Sequence, residues 1–312
     1  MKDLSELTLA DIQPSQFYIS EQKLAAVERW FTPHDLSNFE PIPIKLLDGV
    51  PVMTDGHTRA VAALRAGVAA VPLVWDEDEL DWRMYRACVM ACRSRGISSP
   101  WDLLDRIISA EEYAVQWDQW CDRMQASVEA GPKLYVITNY ADLDGPRLME
   151  VYAESNYENT DYFFPDMADK TMAVKKVEEG FLTFLRDEFF AGPGPAYYVW
   201  EEAGEWVSAL RLNELQPGLY YLEALETRPG YRRRGYAARL LREVIAQLEA
   251  KGPFRICDCV SKGNEPSVRT HLVCGFSIVS EIGHDYLRNT DDPYDYGFEY
   301  RCDGQEAHHD QG

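Results

Sequence analysis

The spacing of apolar and polar residues in the first 130 positions predicts short strands followed by helices. Ile42 to Leu47 alternates apolar and polar positions as a half-buried strand does, and Asp48-Gly49 then predicts a tight hairpin turn. Pro51 to Met53 fits the returning strand, and the alanine-rich run from Ala60 to Leu64 predicts a helix. Between 81 and 124 the apolar period is helical. This part of the chain therefore predicts a small α+β domain with a helical extension.

Strands and helices also alternate through the rest of the chain. Strands are predicted at 133–139, 197–200, 206–212, 220–227, 255–260 and 276–281, and helices near 143–154, 169–189, 232–250 and 266–274. The helix at 232–250 has a clear amphipathic pattern, formed by Leu240, Leu241, Val244, Ile245 and Leu248. Strands mixed with helices in this order predict an α/β (α+β) domain, built on a mixed sheet that helices flank.

A change in composition near position 130 divides the chain. Six of the eight tryptophans precede the segment Glu129-Ala130-Gly131-Pro132, which has the character of a boundary. The length of 312 residues also favours two domains, at about 150 residues each. We expect domains at 1–130 and 131–303, followed by a disordered acidic tail at 304–312. The pair His308-His309 lies in this tail and is not expected to bind a metal.

The charge of the chain narrows the class of partner. Lys and Arg number 31 against 52 Asp and Glu, which gives a net charge of −21. Nucleic acid needs a basic surface and is therefore disfavoured, whereas a small-molecule amine or a basic peptide suits an acidic protein. No apolar run reaches the ~20 residues of a membrane span, and the N-terminus lacks a secretory leader, so we expect a cytoplasmic protein without a membrane partner. The seven cysteines form no CxxC pair and are expected to be reduced thiols, not metal ligands.

One segment predicts a site for a phosphorylated ligand. A strand ends at Thr227, a turn with Pro229-Gly230 follows, and Arg232-x-x-Gly235-x-Ala237 then opens a long helix. Small residues let the backbone approach a ligand closely, and the free N–H groups of a first helical turn favour an anion such as pyrophosphate. Arg233 and Arg234 add positive charge beside Arg232. The segment therefore predicts an anion cradle at the start of this helix.

Two motifs in this order resemble the GNAT superfamily of acyl-CoA-dependent N-acetyltransferases. The phosphate loop of that family reads Q/R-x-x-G-x-G/A, which Arg232, Gly235 and Ala237 match. A second family pattern has an asparagine, then a small residue, a tyrosine and a Gly-Phe pair at fixed offsets. The residues at those offsets here are Asn264, Ser267, His271 and Gly275-Phe276. The resemblance covers about 133–302 and implies a GNAT mixed sheet, in a family whose members often form homodimers.

The resemblance also implies where acetyl-CoA would bind. The cofactor would lie in a splay between the strand that ends at Thr227 and the strand at 255–260, with the backbone of Leu225 and Thr227 on its pantetheine and thioester. The pyrophosphate would bind the N–H groups of the loop and first helical turn, at Arg232, Arg233, Arg234, Gly235, Tyr236 and Ala237. Asn264 would reach the pantetheine arm. A primary amine would attack the thioester directly, without a covalent enzyme intermediate.

Transfer to an amine requires a base, and a well-placed base contributes about 10²–10⁴-fold to the rate. In the family the base often stands on the strand before the phosphate loop, at the offsets that Glu223 and Tyr221 occupy here. A period of two puts Tyr221, Glu223, Leu225 and Thr227 on one face, with Glu226 on the other. Glu223 is the preferred base and Glu226 the second choice. The alternative for Glu223 is an ordinary cross-strand salt bridge.

The acid that protonates the leaving thiolate departs from the family pattern. The family usually has tyrosine where this chain has His271. A histidine can protonate a thiolate near neutral pH, and it can equally be a packed helix residue without a catalytic duty. Tyr231 and Tyr236 are the substitutes if His271 does not serve.

A loop near the N-terminus resembles a different family. Asp55-Gly56-His57-Thr58-Arg59 follows the predicted hairpin and opens a helix. The pattern resembles the ParB/sulfiredoxin-like domain over about 1–78, whose D-G-x-H/x-R loop binds nucleotide phosphates at a helix N-terminus. The resemblance implies a nucleotide site at Asp55, Gly56, His57, Thr58 and Arg59. Sulfiredoxin activity is not expected, because the defining cysteine is absent from this loop.

Three functions stay open at this point. The preferred one is an acetyl-CoA-dependent N-acetyltransferase with a fused ParB-like domain that binds a nucleotide or regulates the enzyme. The second is a nucleotide-dependent phosphotransferase of the free-amino-acid kinase type, in which the first domain is catalytic. The third is a ligand sensor without catalysis. A degenerate first domain kept as a scaffold is compatible with the first of these.

Overall fold

The computed structural model describes residues 4–192 and 194–303, which divide into two units. The first unit runs to Gly131 and also includes Ala203–Glu205, and the second takes Pro132–Glu202 and continues from Trp206. The predicted tail at 304–312, with His308-His309, lies outside the described residues. Both units mix helices with strands, so the predicted α/β (α+β) class is confirmed. Among the helices of the described ranges, none combines the length and the apolarity of a membrane-spanning segment.

The first unit has short strands and helices in alternation. Its strands are β1 (Ile19–Ser20), β2 (Ile42–Leu47), β3 (Val50–Met53), β4 (Leu73–Trp75) and β5 (Ile107–Ile108). Its helices are α1 (Glu21–Glu28), α2 (His57–Arg65), α3 (Trp82–Ser94), α4 (Ala110–Tyr113) and α5 (Gln119–Ala130). β2 is the centre of a three-stranded sheet, antiparallel to β3 across the predicted turn and parallel to β4.

Helix α2 connects two hydrophobic clusters of this unit. Ala60 and Ala63 pack with Ile42 and Ile44 of the sheet, and the neighbouring Val61 packs into a second cluster around α3 and α5. A helix buried on both sides explains the alanine-rich sequence, since small side chains let other elements approach closely.

The prediction of continuous helix from 81 to 124 is wrong in its middle. α3 ends at Ser94, and Gly96 takes a left-handed φ of +75° that helices do not contain. Ser99 then caps a short helical turn that begins at Pro100, and β5 follows before α4. Glycine and proline interrupted a pattern whose apolar spacing alone looked helical.

The second unit is a long mixed sheet with helices on its faces. Its strands are β6 (Lys133–Ile137), β7 (Pro195–Glu202), β8 (Glu205–Gln216), β9 (Leu219–Thr227), β10 (Phe254–Ser261), β11 (Ser277–Ser280), β12 (Gly283–Asp285), β13 (Thr290–Asp292) and β14 (Asp295–Cys302). Its helices are α6 (Gly145–Val151), α7 (Ala153–Phe163), α8 (Lys170–Phe184), α9 (Tyr236–Glu249) and α10 (Glu265–Val273). The strand order in the sheet is β11-β14-β10-β9-β8-β7-β6.

Helices cover both faces of this sheet. Tyr197 and Val199 of β7 pack with α6 and the end of α8, while Trp200, the next residue, lies under Arg239 of α9 with the guanidinium 5.6 Å from its ring. Because successive side chains of a strand point to opposite faces, α9 lies on the other face. The predicted apolar stripe of α9, from Leu240 to Leu248, is buried as expected.

Candidate active site

The parallel neighbours β9 and β10 pair over only part of their length. Leu219 to Tyr221 pairs with Arg255 to Cys257, and no further pair between the two strands is formed within the described residues. β9 nevertheless continues to Thr227 and β10 to Ser261. The strands therefore separate beyond Tyr221, and the backbone groups of β9 that face the gap can bind a ligand.

A bulge on the other edge of β9 interrupts its pairing with β8. Arg211 pairs with Glu223 and Ala209 pairs with Glu226, so two steps along β8 lie opposite three steps along β9. Ala224 takes a left-handed φ of +54° at this point. A bulge of this kind inserts an extra residue, leaves backbone groups outside the ladder and shifts the direction of later side chains.

The bulge corrects the predicted faces of β9. Paired residues point to the same side, and Arg211 and Ala209 lie two apart on β8, so Glu223 and Glu226 share one face. Thr227 pairs with Ser208 and lies on the opposite face, where the two hydroxyl oxygens are 3.2 Å apart. A regular strand was predicted to place Tyr221, Glu223, Leu225 and Thr227 on one face and Glu226 on the other. This prediction is wrong after Glu223, because Glu226 lies on the face of Glu223 and Thr227 does not.

Glu223 is held by polar neighbours at the start of the gap. Asn213 donates a hydrogen bond from Nδ2 to its Oε2 at 3.2 Å. Arg211 Nη2 lies 3.7 Å from the same oxygen, and Arg288 Nη1 lies 3.8 Å from Oε1. The side chain is 11% exposed, so the carboxylate is fixed but reachable. The salt bridge to Arg211 is cross-strand, as the alternative for this residue predicted.

Glu223 also borders a cavity of about 270 Å³. The hairpin formed by β12 and β13, together with the start of β14, supplies part of the wall. Five carboxylates and two guanidinium groups line the cavity: Glu223, Asp258, Asp285, Asp292, Asp295, Arg211 and Arg288. Sequence reasoning named only Glu223 among them. The acidic lining makes the cavity suited to a cation.

Arg211 lies beside Glu223 and lines the same cavity. It is 8% exposed, and its guanidinium lies over the rings of Phe181, Phe184 and Phe189 at 5.0 to 5.7 Å. Aromatic faces attract a cation most strongly when water is excluded, so this charge is fixed in place. Arg211 therefore balances the carboxylate of Glu223 from within the protein.

An ion pair between Glu226 and Arg232 connects the predicted phosphate loop to β9. Arg232 Nη2 lies 2.8 Å from Glu226 Oε1, and its Nε donates to the carbonyl of Thr227 at 3.0 Å. Its remaining nitrogen pairs with Glu154 of α7. Burial raises the pKa of Glu226, although Arg232 opposes this effect. Arg232 thus pairs with two protein carboxylates and connects the loop to β9 and α7, and its predicted contact with the cofactor stays a prediction.

The loop presents its backbone at the start of α9. The helix begins at Tyr236, so the prediction of a start at Arg232 is wrong, and Arg233 and Arg234 lie in the exposed turn before it. Gly235 is the N-cap with a left-handed φ of +80°, and a Cβ there would meet no atom within 4 Å. Ala237 follows in the first turn and is half-buried. The space beside Gly235 is therefore open, so a ligand could approach the backbone closely there.

The three tyrosines predicted to donate or accept protons differ in whether they line the cavity. Burial, with a smaller contribution from Cys259, raises the pKa of Tyr221 far above its usual range, which disfavours the ionised form, and its role as a base stays a prediction. Tyr221 lines the cavity with Glu223. Tyr231 is 2% exposed and packs against Tyr236 with ring centres 6.1 Å apart. Of the three, Tyr221 alone is placed on the cavity.

The geometry does not favour the acid role predicted for His271. The residue is 1% exposed, and its Nε2 lies 2.7 Å from Asp258 Oδ2. Nδ1 lies 2.8 Å from the carbonyl oxygen of Ser267, and the ring packs against Phe276 and Phe298. Burial would lower the pKa of His271, but the hydrogen bond and charge of Asp258 more than offset this and raise it. His271 is a packed helix residue that neutralises a buried carboxylate.

Asn264 has a capping role at α10. Its Oδ1 accepts a hydrogen bond from the backbone N–H of Ser267 at 3.2 Å, which satisfies a free donor of the first turn. The residue is exposed and lies in the turn between β10, which ends at Ser261, and α10. The predicted contact with a pantetheine arm stays a prediction.

The predicted nucleotide loop of the first unit is covered by its own side chains. Gly56 is the N-cap of α2 with a left-handed φ of +81°. Arg59 folds back over it and pairs with the carboxylates of Glu40 and Asp55, the latter at 3.6 Å. A Cβ at Gly56 would lie only 2.9 Å from Arg59 Nη2. The charge predicted to bind phosphate is thus balanced by two carboxylates, and the nucleotide site stays a prediction.

His57 of the same loop is buried and neutral. Its Nε2 accepts a hydrogen bond from the backbone N–H of Ser15 at 3.0 Å. Burial lowers the pKa of His57 to about 4, an effect that Asp55 opposes only weakly. Thr58 beside it is half-buried. The imidazole serves the fold as a hydrogen-bond acceptor and carries no charge toward a phosphate.

This buried imidazole predicts that the first unit loses stability in acid. The folded-state pKa of His57 lies below the unfolded value of about 6.5, so the unfolded chain binds the proton first as the pH falls. The contribution is complete above pH ~6.5 and is lost toward pH ~4, by up to about 3 kcal/mol. Urea unfolding between about pH 7 and pH 4.5, followed by tryptophan fluorescence, should show this slope. His57→Gln should flatten it, since glutamine accepts a hydrogen bond without titrating.

His34→Gln is the matched control for that measurement. His34 is exposed, so this variant should keep the slope of the wild type. Fluorescence suits the experiment because six of the eight tryptophans lie in the first unit. An unchanged slope in His57→Gln would show that other groups cause the acid sensitivity.

Comparison with known families identifies part of the second unit. Residues 157–276 match the model of the Acetyltransferase (GNAT) family, a span that contains the bulge, the gap, the phosphate loop and α10. The chain therefore carries a GNAT acetyltransferase domain, and the predicted enzyme class is confirmed. The first unit lies outside this span, so its likeness to ParB stays a prediction.

Solved acetyltransferase structures are similar to the chain at low identity. PaiA N-acetyltransferase from Thermoplasma acidophilum, solved with coenzyme A, is 15% identical with a TM-score of 0.38 over 55% of this chain and 99% of its own. An acetyltransferase from Streptococcus agalactiae is 16% identical with a TM-score of 0.39 over 55% and 99%. A variant of the spermidine N-acetyltransferase SpeG from Vibrio cholerae is 14% identical with a TM-score of 0.37 over 55% and 94%. No curated protein matches the chain.

Proposed function

We propose that the second unit transfers an acetyl group from acetyl-CoA to a primary amine, with Glu223 as the general base. The observation that carries the proposal is the gap between β9 and β10. Glu223 lies where the gap begins, beside an acidic cavity, and the phosphate loop follows where β9 ends. A thioester in the gap and an amine in the cavity would therefore meet at Glu223.

The residues present fit acetyl-CoA. The N–H groups before and after Gly235 would hold its pyrophosphate, with Arg233 and Arg234 adding positive charge from the exposed turn. The gap-facing backbone of β9, at Leu225 and its neighbours, would hold the pantetheine. Acetyl-CoA, when bound, supplies a thioester that an amine can attack directly.

Two side chains of the cavity would accept and donate the protons of the reaction. An amine is a nucleophile only when it is neutral, and Glu223 would accept the proton that it loses. Arg211 and Asn213 hold the carboxylate in place for this step. Tyr221 lines the same cavity as Glu223, so we take its hydroxyl as the acid that returns a proton to the leaving thiolate.

A calorimetric titration with acetyl-CoA tests the cofactor site. We expect wild-type protein to bind, and Gly235→Glu to bind at least about 100-fold more weakly, because the new carboxylate repels the pyrophosphate and the side chain strains a left-handed position. Gly67→Glu is the matched control. Gly67 has a φ of +79° and open space around it, but it lies in the first unit.

The control shows whether glutamate at a left-handed position elsewhere in the chain is enough to lose binding. If both variants lose binding equally, general destabilisation and not the phosphate loop explains the loss. If the wild type does not bind acetyl-CoA, the proposal is wrong.

A further inference from the structure

The hairpin of β12 and β13 brings a guanidinium group to the proposed base. Arg288 lies in the connection between the two strands, and its Nη1 is 2.5 Å from Asp285 Oδ2. The same nitrogen is 3.8 Å from Glu223 Oε1. An amine that gives its proton to Glu223 must occupy the space that this guanidinium now borders. Arg288 therefore competes with the acceptor amine.

A ligand can replace the ion pair between Arg288 and Asp285. The Arg288 side chain is 62% exposed, and an exposed ion pair contributes little to stability. Arg211, the other guanidinium of the cavity, differs because three aromatic rings bury it. Arg288 can thus leave toward water, whereas Arg211 cannot.

Removal of Arg288 leaves negative charge without its partner. Asp285 loses its ion pair, and Asp292 and Asp295 line the same cavity. A single ammonium group at Glu223 would replace only the 3.8 Å contact of Arg288 and would leave Asp285 without an ion pair. A second cationic group on the acceptor would restore it at Asp285.

We propose that the acceptor is an aliphatic amine with a second positive charge, which replaces Arg288 at Asp285 while the reacting amine binds at Glu223. Arg288 then covers the base until the acceptor arrives, and Asp285 is the specificity-determining residue. This inference rests on the proposed function, because it takes Glu223 as the base.

Diaminobutane and butylamine test the inference, since they match in length and differ by one ammonium group. Acetyl transfer to each is measured for the wild type, Arg288→Gln and Asp285→Asn. We expect diaminobutane to be the better substrate of the wild type. Arg288→Gln should lower KM for both amines severalfold, and Asp285→Asn should raise KM about tenfold for diaminobutane alone, with kcat little changed. Equal effects of Asp285→Asn on both amines, or a higher KM in Arg288→Gln, would overturn the inference.

Arg301→Gln is the matched control. Arg301 is 57% exposed and pairs with Glu299 at 3.1 Å, but it does not line the cavity. The KM values of Arg301→Gln should equal those of the wild type. This result would show that loss of an exposed arginine elsewhere does not change KM.

Direct calorimetric binding of diaminobutane separates this inference from the proposed function. Affinity should rise in Arg288→Gln and fall about tenfold in Asp285→Asn even without acetyl-CoA. If these shifts occur but no amine is acetylated, the proposed function fails and the cation site stands. If amines are acetylated but the affinities do not shift, the cation site fails and the function stands.

Discussion

Glu223→Gln is expected to lower kcat for acetyl transfer by about 10²–10⁴-fold and to leave the affinity for acetyl-CoA unchanged. Glutamine has the same shape and keeps the hydrogen-bonding position opposite Asn213, but it cannot accept a proton from an ammonium ion. The phosphate loop lies beyond the end of β9 and does not contact Glu223 through any hydrogen bond described. Release of free thiol measures kcat, and calorimetry measures cofactor affinity.

Glu226→Gln is the natural comparison, because the bulge places both carboxylates on one face. Glu226 pairs with Arg232, so its loss should loosen the phosphate loop and weaken acetyl-CoA binding severalfold without a large change in kcat. A fall in kcat in Glu226→Gln with normal kcat in Glu223→Gln would assign the base to Glu226. Full activity in both variants would remove the carboxylate base from the mechanism.

The phosphate loop could be predicted because its requirements are local. A strand, a turn and a glycine at the N-cap of a helix are consecutive in sequence, and Gly235 has the left-handed φ that the motif needs. The start of α9 was placed too early for a reason that is not local. Arg232 is held outside the helix by Glu154 and Glu226, which belong to other elements.

The face of Glu226 could not be predicted from the strand pattern. A period of two assumes a regular strand, and the bulge at Ala224 breaks that rule without a glycine or proline to indicate it. Alanine rarely has a positive φ, so nothing in the sequence marks the position. Only the pairing with β8 shows that Glu223 and Glu226 lie on one side.

The cavity depends on residues that are far apart in the chain. Asp285 and Arg288 belong to a hairpin that no apolar pattern predicted, because its strands are short and polar. Arg211 lies on a strand whose apolar neighbours predicted burial, but its aromatic partners come from α8 and the segment after it. Contacts of this kind depend on the tertiary fold.

His271→Ala is expected to lower the free energy of unfolding by about 3–5 kcal/mol. The imidazole is fully buried between Phe276 and Phe298, and it is the partner that neutralises Asp258. Its removal leaves a cavity and a buried carboxylate without a counter-charge, and each of these destabilises a protein. Urea unfolding followed by circular dichroism measures the change. A catalytic acid would instead reduce kcat without this loss of stability.

The double variant His271→Leu with Asp258→Leu distinguishes charge from packing. If the main penalty of His271→Ala is the unpaired Asp258, replacing both partners by apolar residues should recover most of the stability, because buried pairs often contribute little net free energy. If the double variant is as unstable as His271→Ala, packing around Phe276 and Phe298 is the main term. The kcat of His271→Gln tests the catalytic role directly. Loss of a catalytic acid lowers kcat by about 10²–10⁴-fold. A fall of kcat in this range, in a variant as stable as the wild type, would restore His271 as the catalytic acid. The burial and the 2.7 Å contact with Asp258 favour the structural outcome.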